Sequence, residues 1–388
     1  MKNRIIKLML AFTAAFTVFA CEVESNQEEI AKLPTIVDIA KADVELSSLV
    51  RALTVTSLAS TFTAPGSYTV FAPSDAAFTA AGVTPVYLTT IENAIAASKL
   101  PAPATVAIPA TIATQISSLK LILQYHVLGI ASRSEDLLLN PNLNFIGYSR
   151  TLGFYKALPN STSGANLSMF IDTIGSDVVL NGGVSNGGSK ISQANIIASN
   201  GIVHKIANVL SLPTVVSHVK ANPKVFSTLL TILSGTSATP GIYGDQSAIL
   251  NALVAAAGEA TPTAAVAVYA PTNTAFTTAT ATGGFLTNST FFGTPALTAT
   301  NVTKVLKYHY QAGNFPAGTA TSFSAATATG DQDVTTNLGQ KFKLLRGTLK
   351  IVELPLVPAI PAANAKVLNI QGTNGVLFAI DRVLQPVL

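Results

Sequence analysis

Asn200-Gly201-Ile202-Val203-His204-Lys205-Ile206, followed by Val209-Leu210-Ser211-Leu212-Pro213, decides the reading of this chain, because it returns as Asn374-Gly375-Val376-Leu377-Phe378-Ala379-Ile380, followed by Val383-Leu384-Gln385-Pro386. Each copy closes a repeat. Asn-Gly readily supplies positive φ at both central positions of a tight turn, and the apolar, β-branched run after it suits a buried strand. Working outward, Leu33-Pro34-Thr35-Ile36-Val37 opens one unit and Leu212-Pro213-Thr214-Val215-Val216 opens the next. Just downstream, Leu46, Leu49, Val50 and Leu53 mirror Phe226, Leu229, Leu230 and Leu233. Both sets fall at i, i+3, i+4, i+7, which predicts one apolar stripe on a helix in each unit.

Two further blocks recur in the same order. Tyr68-Thr69-Val70-Phe71-Ala72-Pro73-Ser74-Asp75 with Phe78 matches Ala267-Val268-Tyr269-Ala270-Pro271-Thr272-Asn273 with Phe276, a β-prone run stopped by Pro and followed by helix-capping residues. Leu119, Ile122 and Leu123 lead into Tyr125-His126, and Val302, Val305 and Leu306 lead into Tyr308-His309, so both imidazoles fall on a buried helical stripe. After each Tyr-His come β-prone segments with Gly and Asn: 176–183 and 190–197 in the first unit, and 333–336, 341–345, 349–353 and 367–370 in the second. Helices first and then a run of strands favours an α+β class. The distance from Phe71 to Tyr125 exceeds that from Tyr269 to Tyr308, which places an insertion in the first unit, at the Pro/Ala/Thr stretch 101–111. That stretch reads as a surface loop, as does the Pro-rich excursion 354–361.

A chain of 388 residues, 48% hydrophobic and 11% charged, can bury two ordinary cores and is too apolar to be disordered. Its net charge of +4 comes without a Lys/Arg cluster interleaved with aromatics, which argues against nucleic acid as a partner. At the N-terminus, Lys2, Arg4 and Lys7 precede an apolar run from Leu8 to Ala20, the pattern of a signal peptide over 1–20 and too short for a membrane span. Val18-Phe19-Ala20-Cys21 resembles a bacterial lipobox, departing from it at Val18 and Phe19. It makes Cys21, the sole cysteine, the expected lipidation site, with an acidic tether over 21–32. A lone cysteine cannot form an internal disulfide.

With its blocks in order, twice, the chain resembles a tandem pair of fasciclin-type (FAS1) domains, 33–211 and 212–388. The resemblance rests on the strand ending Phe71-Ala72-Pro73-Ser74-Asp75, the Tyr125-His126 pair and the Asn200 to His204 ending, and covers nearly everything after residue 33. It implies two α+β domains, each a wedge or sandwich of strands with packed helices. It also implies a non-catalytic surface protein without cofactor, adhering to polysaccharide, matrix or another cell surface, lipid-anchored and exported to a bacterial outer membrane or cell surface. An accessory envelope protein that binds a partner protein of the same cell is the alternative. The second unit departs from the family at Phe378, where the first has His204, and at Thr272-Asn273, where the first has Ser74-Asp75.

Tyr125, His126, Tyr308, His309 and His204 are thus the candidate binding or structural residues, the helical register favouring the structural role. Gly183-Val184-Ser185-Asn186-Gly187 matches the spacing of a hydrolase elbow, but an elbow needs a strand before and a helix after, and here two strands flank the motif. Gly188-Ser189-Lys190 likewise misses a phosphate loop. His126, His204, His218 and His309 are dispersed and lack metal-ligand spacing, and Asp331-Gln332-Asp333 reads as a turn without the remainder of a calcium loop. No metal and no catalytic residue is expected.

Overall fold

The computed structural model describes residues 33–101, 106–138, 147–155, 165–236, 243–255, 266–277, 298–312, 331–345, 348–354 and 362–387. The signal peptide, Cys21, the acidic tether and most of the Pro-rich excursion lie outside the described residues.

The first unit opens with α1 (Ile36–Ala42), whose N-cap Thr35 forms a capping box with Asp38. After a 3-10 turn over Val44–Leu46 come α2 (Ser47–Val55) and α3 (Ala59–Thr63). The predicted stripe is buried at Leu46, Leu49 and Leu53, although Leu46 stands in the 3-10 turn rather than in the helix. Strand β1 (Tyr68–Pro73) then ends at its proline, and Ser74 caps α4 (Asp75–Ala80). Helices α5 (Pro85–Ser98) and α6 (Ala110–Tyr125) follow. The 101–111 stretch, expected to be all loop, gives way to helix at Ala110, because Pro109 occupies the N-cap where its missing N–H costs nothing. The chain then runs through β2 (Val127–Leu128), β3 (Tyr148–Tyr155), β4 (Ala165–Ile174), β5 (Asp177–Leu180), β6 (Ser189–Ala198) and β7 (Gly201–Ile206).

These seven strands close into a barrel, neighbours antiparallel except where β1 and β7 meet in parallel. Their burial runs without alternation because one face of each looks into the barrel and the other is covered by helices. Phe71, Tyr125, Met169 and Ile206 fill the interior, while Val70, Ala72 and Val203 pack outward under α1, α2 and α6. The helices-first order is therefore only partly right, since β1 belongs to the sheet that the later strands complete.

The second unit repeats the plan with α7 (Val215–Ala221), α8 (Pro223–Leu233), α9 (Ser247–Ala255), β8 (Val266–Pro271), α10 (Asn273–Thr277), α11 (Ala299–Tyr308), β9 (Tyr310–Ala312), β10 (Gln332–Thr335), β11 (Lys341–Leu345), β12 (Lys350–Glu353), β13 (Ala363–Gly372) and β14 (Gly375–Ile380). Strand β14 pairs in parallel with β8, and the order β10-β11-β12-β13-β14-β8-β9 is that of the first barrel opened between the second and third strands. Across that gap, Asn337 donates its backbone N–H to Tyr310 O at 2.9 Å and its amide to Tyr310 Oη at 2.7 Å. The expected turn at Asp331-Gln332-Asp333 is instead the start of β10, with Asp333 opposite Lys343 in the antiparallel ladder.

The Asn-Gly closures are also differently built from the expectation. Among the described residues, the non-glycine positions with positive φ are Ser57, Asn181, Asn195, Leu349 and Asn369, so Asn200 and Asn374 do not form the mirror-image turn. Asn200 is buried for its side chain: Oδ1 accepts from Ile36 N at 3.0 Å, and Nδ2 donates to Phe62 O and Ala64 O at 2.8 and 3.0 Å. Asn374 does the same work, accepting from Val215 N at 2.9 Å and donating to Leu253 O at 2.8 Å. Each Asn thus satisfies a free N–H at the start of its repeat's first helix. The glycines follow because a Cβ at Gly201 or Gly375 would collide with the carbonyl of Tyr68 or Val266 on the parallel neighbour. Asn200→Ala is expected to cost about 2 kcal/mol by stranding these groups. A urea midpoint equal to that of the parent chain would contradict this role.

The two units share an interface. Tyr148 and Phe170 of the first barrel, 5.1 Å apart, belong to the hydrophobic cluster of the second unit. Tyr148 Oη donates to His218 O at 2.9 Å, Gln371 N donates to Ser168 Oγ at 2.9 Å, and Lys224 pairs with Asp172 at 2.6 Å.

Candidate functional site

Helix α6 ends where His126 leaves the helical region as its C-cap. The imidazole folds back so that Nδ1–H donates to Ile122 O at 2.7 Å, while Nε2 accepts from Leu210 N at 2.9 Å. His309 caps α11 identically, with Nδ1–H on Val305 O at 2.7 Å and Nε2 accepting from Leu384 N at 2.8 Å. A carbonyl can only accept and an amide can only donate, so each ring is held as the neutral Nδ1–H tautomer. Burial pushes both imidazoles down to about 4. Each histidine therefore ties the chain leaving the last strand to the helix before the second. The buried register expected from the sequence is present, and the C-cap position supplies the reason for it.

The tyrosines are buried beside them. Tyr125 Oη donates to Ser168 O at 3.1 Å and receives Asn181 Nδ2 at 2.9 Å; Tyr308 Oη donates to Lys341 O at 2.8 Å. Desolvation raises both phenols above their ordinary value. In the first unit the network reaches the domain junction. Asn181 O accepts from Asn186 Nδ2 at 3.0 Å, the same amide donates to Ser217 O at 2.8 Å, and Leu210, held by His126, lies in the connection to α7.

His204 is fully buried and stacked on Phe71, with ring centroids 5.7 Å apart. It takes the opposite tautomer, Nδ1 accepting from Asn195 N at 3.3 Å and Nε2–H donating to Ser132 O at 3.0 Å. Burial pulls its titration below the ordinary value. Asn195 reaches the same loop, its Oδ1 accepting from Ser134 N at 2.9 Å. In the second unit Phe378 stacks on Tyr269 at 5.3 Å, so the ring pair survives while the polar ring passes from the closing strand, His204, to the first strand, Tyr269. The Ser74-Asp75 and Thr272-Asn273 departures have a similar cause. Asp75 accepts from Ser47 Oγ at 2.6 Å and Ser48 N at 2.7 Å; Asn273 accepts from Thr228 N at 2.9 Å and also donates to the carbonyls of Pro223 and Lys224 at 3.2 and 3.0 Å. A carboxylate cannot donate, so the amide suits the second site.

Ser185 stands in a 3-10 turn, Val184–Asn186, between antiparallel β5 and β6, without the strand-turn-helix geometry of an elbow. The glycines there serve packing: a Cβ at Gly182 would lie 2.7 Å from Ala221 Cα, and Ser211 N donates to Gly187 O at 2.8 Å. Among the described residues no group of three or more His, Cys, Asp or Glu is placed to hold a metal. Two charged networks escaped the sequence reading. Lys205 joins Asp43 at 2.8 Å and Glu45 at 2.6 Å, and buried Arg382 meets buried Glu353 at 2.6 Å. Nothing in the spacing of those residues brings them together.

The family comparison agrees with this geometry. The fasciclin domain model matches residues 44–213 and 244–386, and the chain belongs to the fasciclin domain family. Fasciclin domains are generally adhesion and binding domains of a non-enzymatic type. An uncharacterised protein of Synechocystis sp. is 35% identical over 105 residues, which are 27% of this chain and 62% of that relative's length. Among solved structures, a FAS1 domain pair from the insect cell adhesion molecule fasciclin I aligns over 90% of this chain and 96% of its own, at 14% identity and a TM-score of 0.42.

Proposed function

We propose that this chain is a lipid-anchored surface protein whose two fasciclin domains act together as one non-catalytic binding module, taking a polysaccharide, a matrix component or a neighbouring cell surface as ligand. The observation that supports this most is the inward use of the polar residues. Tyr125, His126, Tyr308, His309 and His204 are all buried and bonded to their own domains, so recognition falls to the loops and exposed strand faces. Incubation of the soluble chain with glycans, matrix and envelope fractions tests the reading. Retention on a glycan or matrix surface is the expected result, and failure to bind any of them refutes it. A single endogenous envelope protein captured by crosslinking, with no external ligand, supports the accessory role instead.

Anchoring follows from Cys21, the sole cysteine at the end of the apolar run. Cys21→Ser is expected to move the protein from the membrane fraction to the soluble fraction. Unchanged membrane retention would refute the anchor without touching the binding role.

A further inference from the structure

Three of the four histidines have both ring nitrogens matched by the protein. His126, His309 and His204 each donate from one nitrogen to a carbonyl and accept at the other from a backbone N–H. His218 differs. Its Nε2–H donates to Gln371 O at 3.1 Å, and among the described residues Nδ1 meets no donor. The residue is 1% exposed, so an unmatched nitrogen here carries the cost of a buried polar group. The capping boxes at Thr35 and Thr214 align α1 with α7 and set Ile39 of the first repeat against His218. An imidazole in place of an aliphatic side chain, at the junction of two domains, needs a partner for each nitrogen.

His218 lines a cavity of about 70 Å3 between α7 and the loop carrying Asn181 and Asn186, with Ser211, Thr214 and Ala221 also in its wall. All of its lining residues lie within 165–236, a stretch described throughout. The polar groups left over around it are of both kinds. Asn186 spends Nδ2 on Asn181 O and Ser217 O, which leaves Oδ1 as a second acceptor beside Nδ1. Ser211 and Thr214 bring hydroxyls, and Thr214 Oγ1 accepts from Ser217 N at 3.1 Å while keeping its own hydrogen to donate. Neither a carboxylate nor an amine is among the lining residues, so an ion would have no countercharge there. An apolar occupant would leave the acceptors and the hydroxyls unmatched. Water matches both, and at a liquid share of about 30 Å3 per molecule the space suits roughly two.

We infer that this cavity is a bound-water site, in which one water donates to His218 Nδ1 and a second carries the chain on to Asn186 Oδ1. The two domains are then joined through solvent on this side of the junction and through the packed rings of Tyr148 and Phe170 on the other. The bridge runs from α7 into the first domain, where Asn181 is bonded to Tyr125 Oη. It also holds His218 as the neutral Nε2–H tautomer, opposite to His126 and His309. None of this depends on what the module binds.

A crystal structure of the Cys21→Ser chain at a resolution that shows solvent tests the inference. Water within about 3 Å of His218 Nδ1, with a neighbour on Asn186 Oδ1, is the expected result. In solution, the chain labelled at histidine should show a nuclear Overhauser effect between water and the carbon-bound ring hydrogens of His218, and none at His126, His204 or His309, whose nitrogens are taken. Xenon pressed into the crystal should stay out of the cavity, since xenon enters dry apolar space. A protein group against Nδ1, a dry cavity that takes up xenon, or a water contact shared equally by all four rings would overturn the inference.

Discussion

Acidification from pH 6.5 to 4 should remove most of the stability of this protein. His126, His218 and His309 ordinarily titrate at 6.5, and burial pushes each down to about 4 in the fold. Between those values the unfolded chain binds protons that the folded chain refuses. Stability is therefore complete above pH 6.5 and falls as pH drops, with the loss finished below 4. A displacement of that size is worth on the order of 3 kcal/mol for each histidine, one in the first domain and two in the second, a large share of an ordinary domain's stability. The geometry supplies the mechanism. A proton added to Nε2 of His126 or His309 would point at the N–H of Leu210 or Leu384, which now donates to it. His218 already donates Nε2–H to Gln371 O at 3.1 Å, and its second proton would place a charge at the buried junction between the domains. His204 shifts in the same direction. Urea midpoints measured at intervals through this window check the expectation. A midpoint that stays level from 6.5 to 4 would show that the histidines are hydrated in solution.

The sequence carried much of this architecture, because a repeat leaves two independent samples of each element. The Tyr-His blocks, the Pro-terminated strands and the closing runs located the helices and strands of both units, and the helical register located the buried imidazoles. What escaped it was pairing between distant segments. The parallel contact of β1 with β7 joins Val70 to Val203 across the length of the domain, and no local period encodes it. Asn200 illustrates the same limit. Asn-Gly is a turn signal, yet here the Asn is retained for an amide that reaches Ile36 and Phe62, and the Gly for a close approach to Tyr68. Strand alternation held a further clue. From Leu167 to Ile171, β4 is buried on both faces because its outer side meets the second domain, whereas β11 alternates between exposed Lys341 and buried Phe342.

Arg382→Met should destabilise the second domain by about 3 to 5 kcal/mol, the cost of leaving a buried carboxylate without its cation. Glu353 receives Arg382 Nη2 at both oxygens, each at 2.6 Å, and, among the described residues, otherwise Gln385 N at 3.1 Å. Both side chains are nearly excluded from water, at 9% and 6% exposure, so solvent cannot replace the lost partner. Without the guanidinium, the Glu353 carboxylate stays desolvated with only a backbone N–H, among the described residues, to offset its charge, so the loss should exceed that of an exposed pair. Removing the stranded charge as well, in Arg382→Met with Glu353→Gln, should restore most of the loss, because two matched neutral groups cost less than one unpaired ion. Denaturant unfolding of the single and double variants checks both expectations. A single-variant deficit under about 1 kcal/mol, or a double variant no more stable than the single, would mean that the pair behaves as a solvated surface bridge.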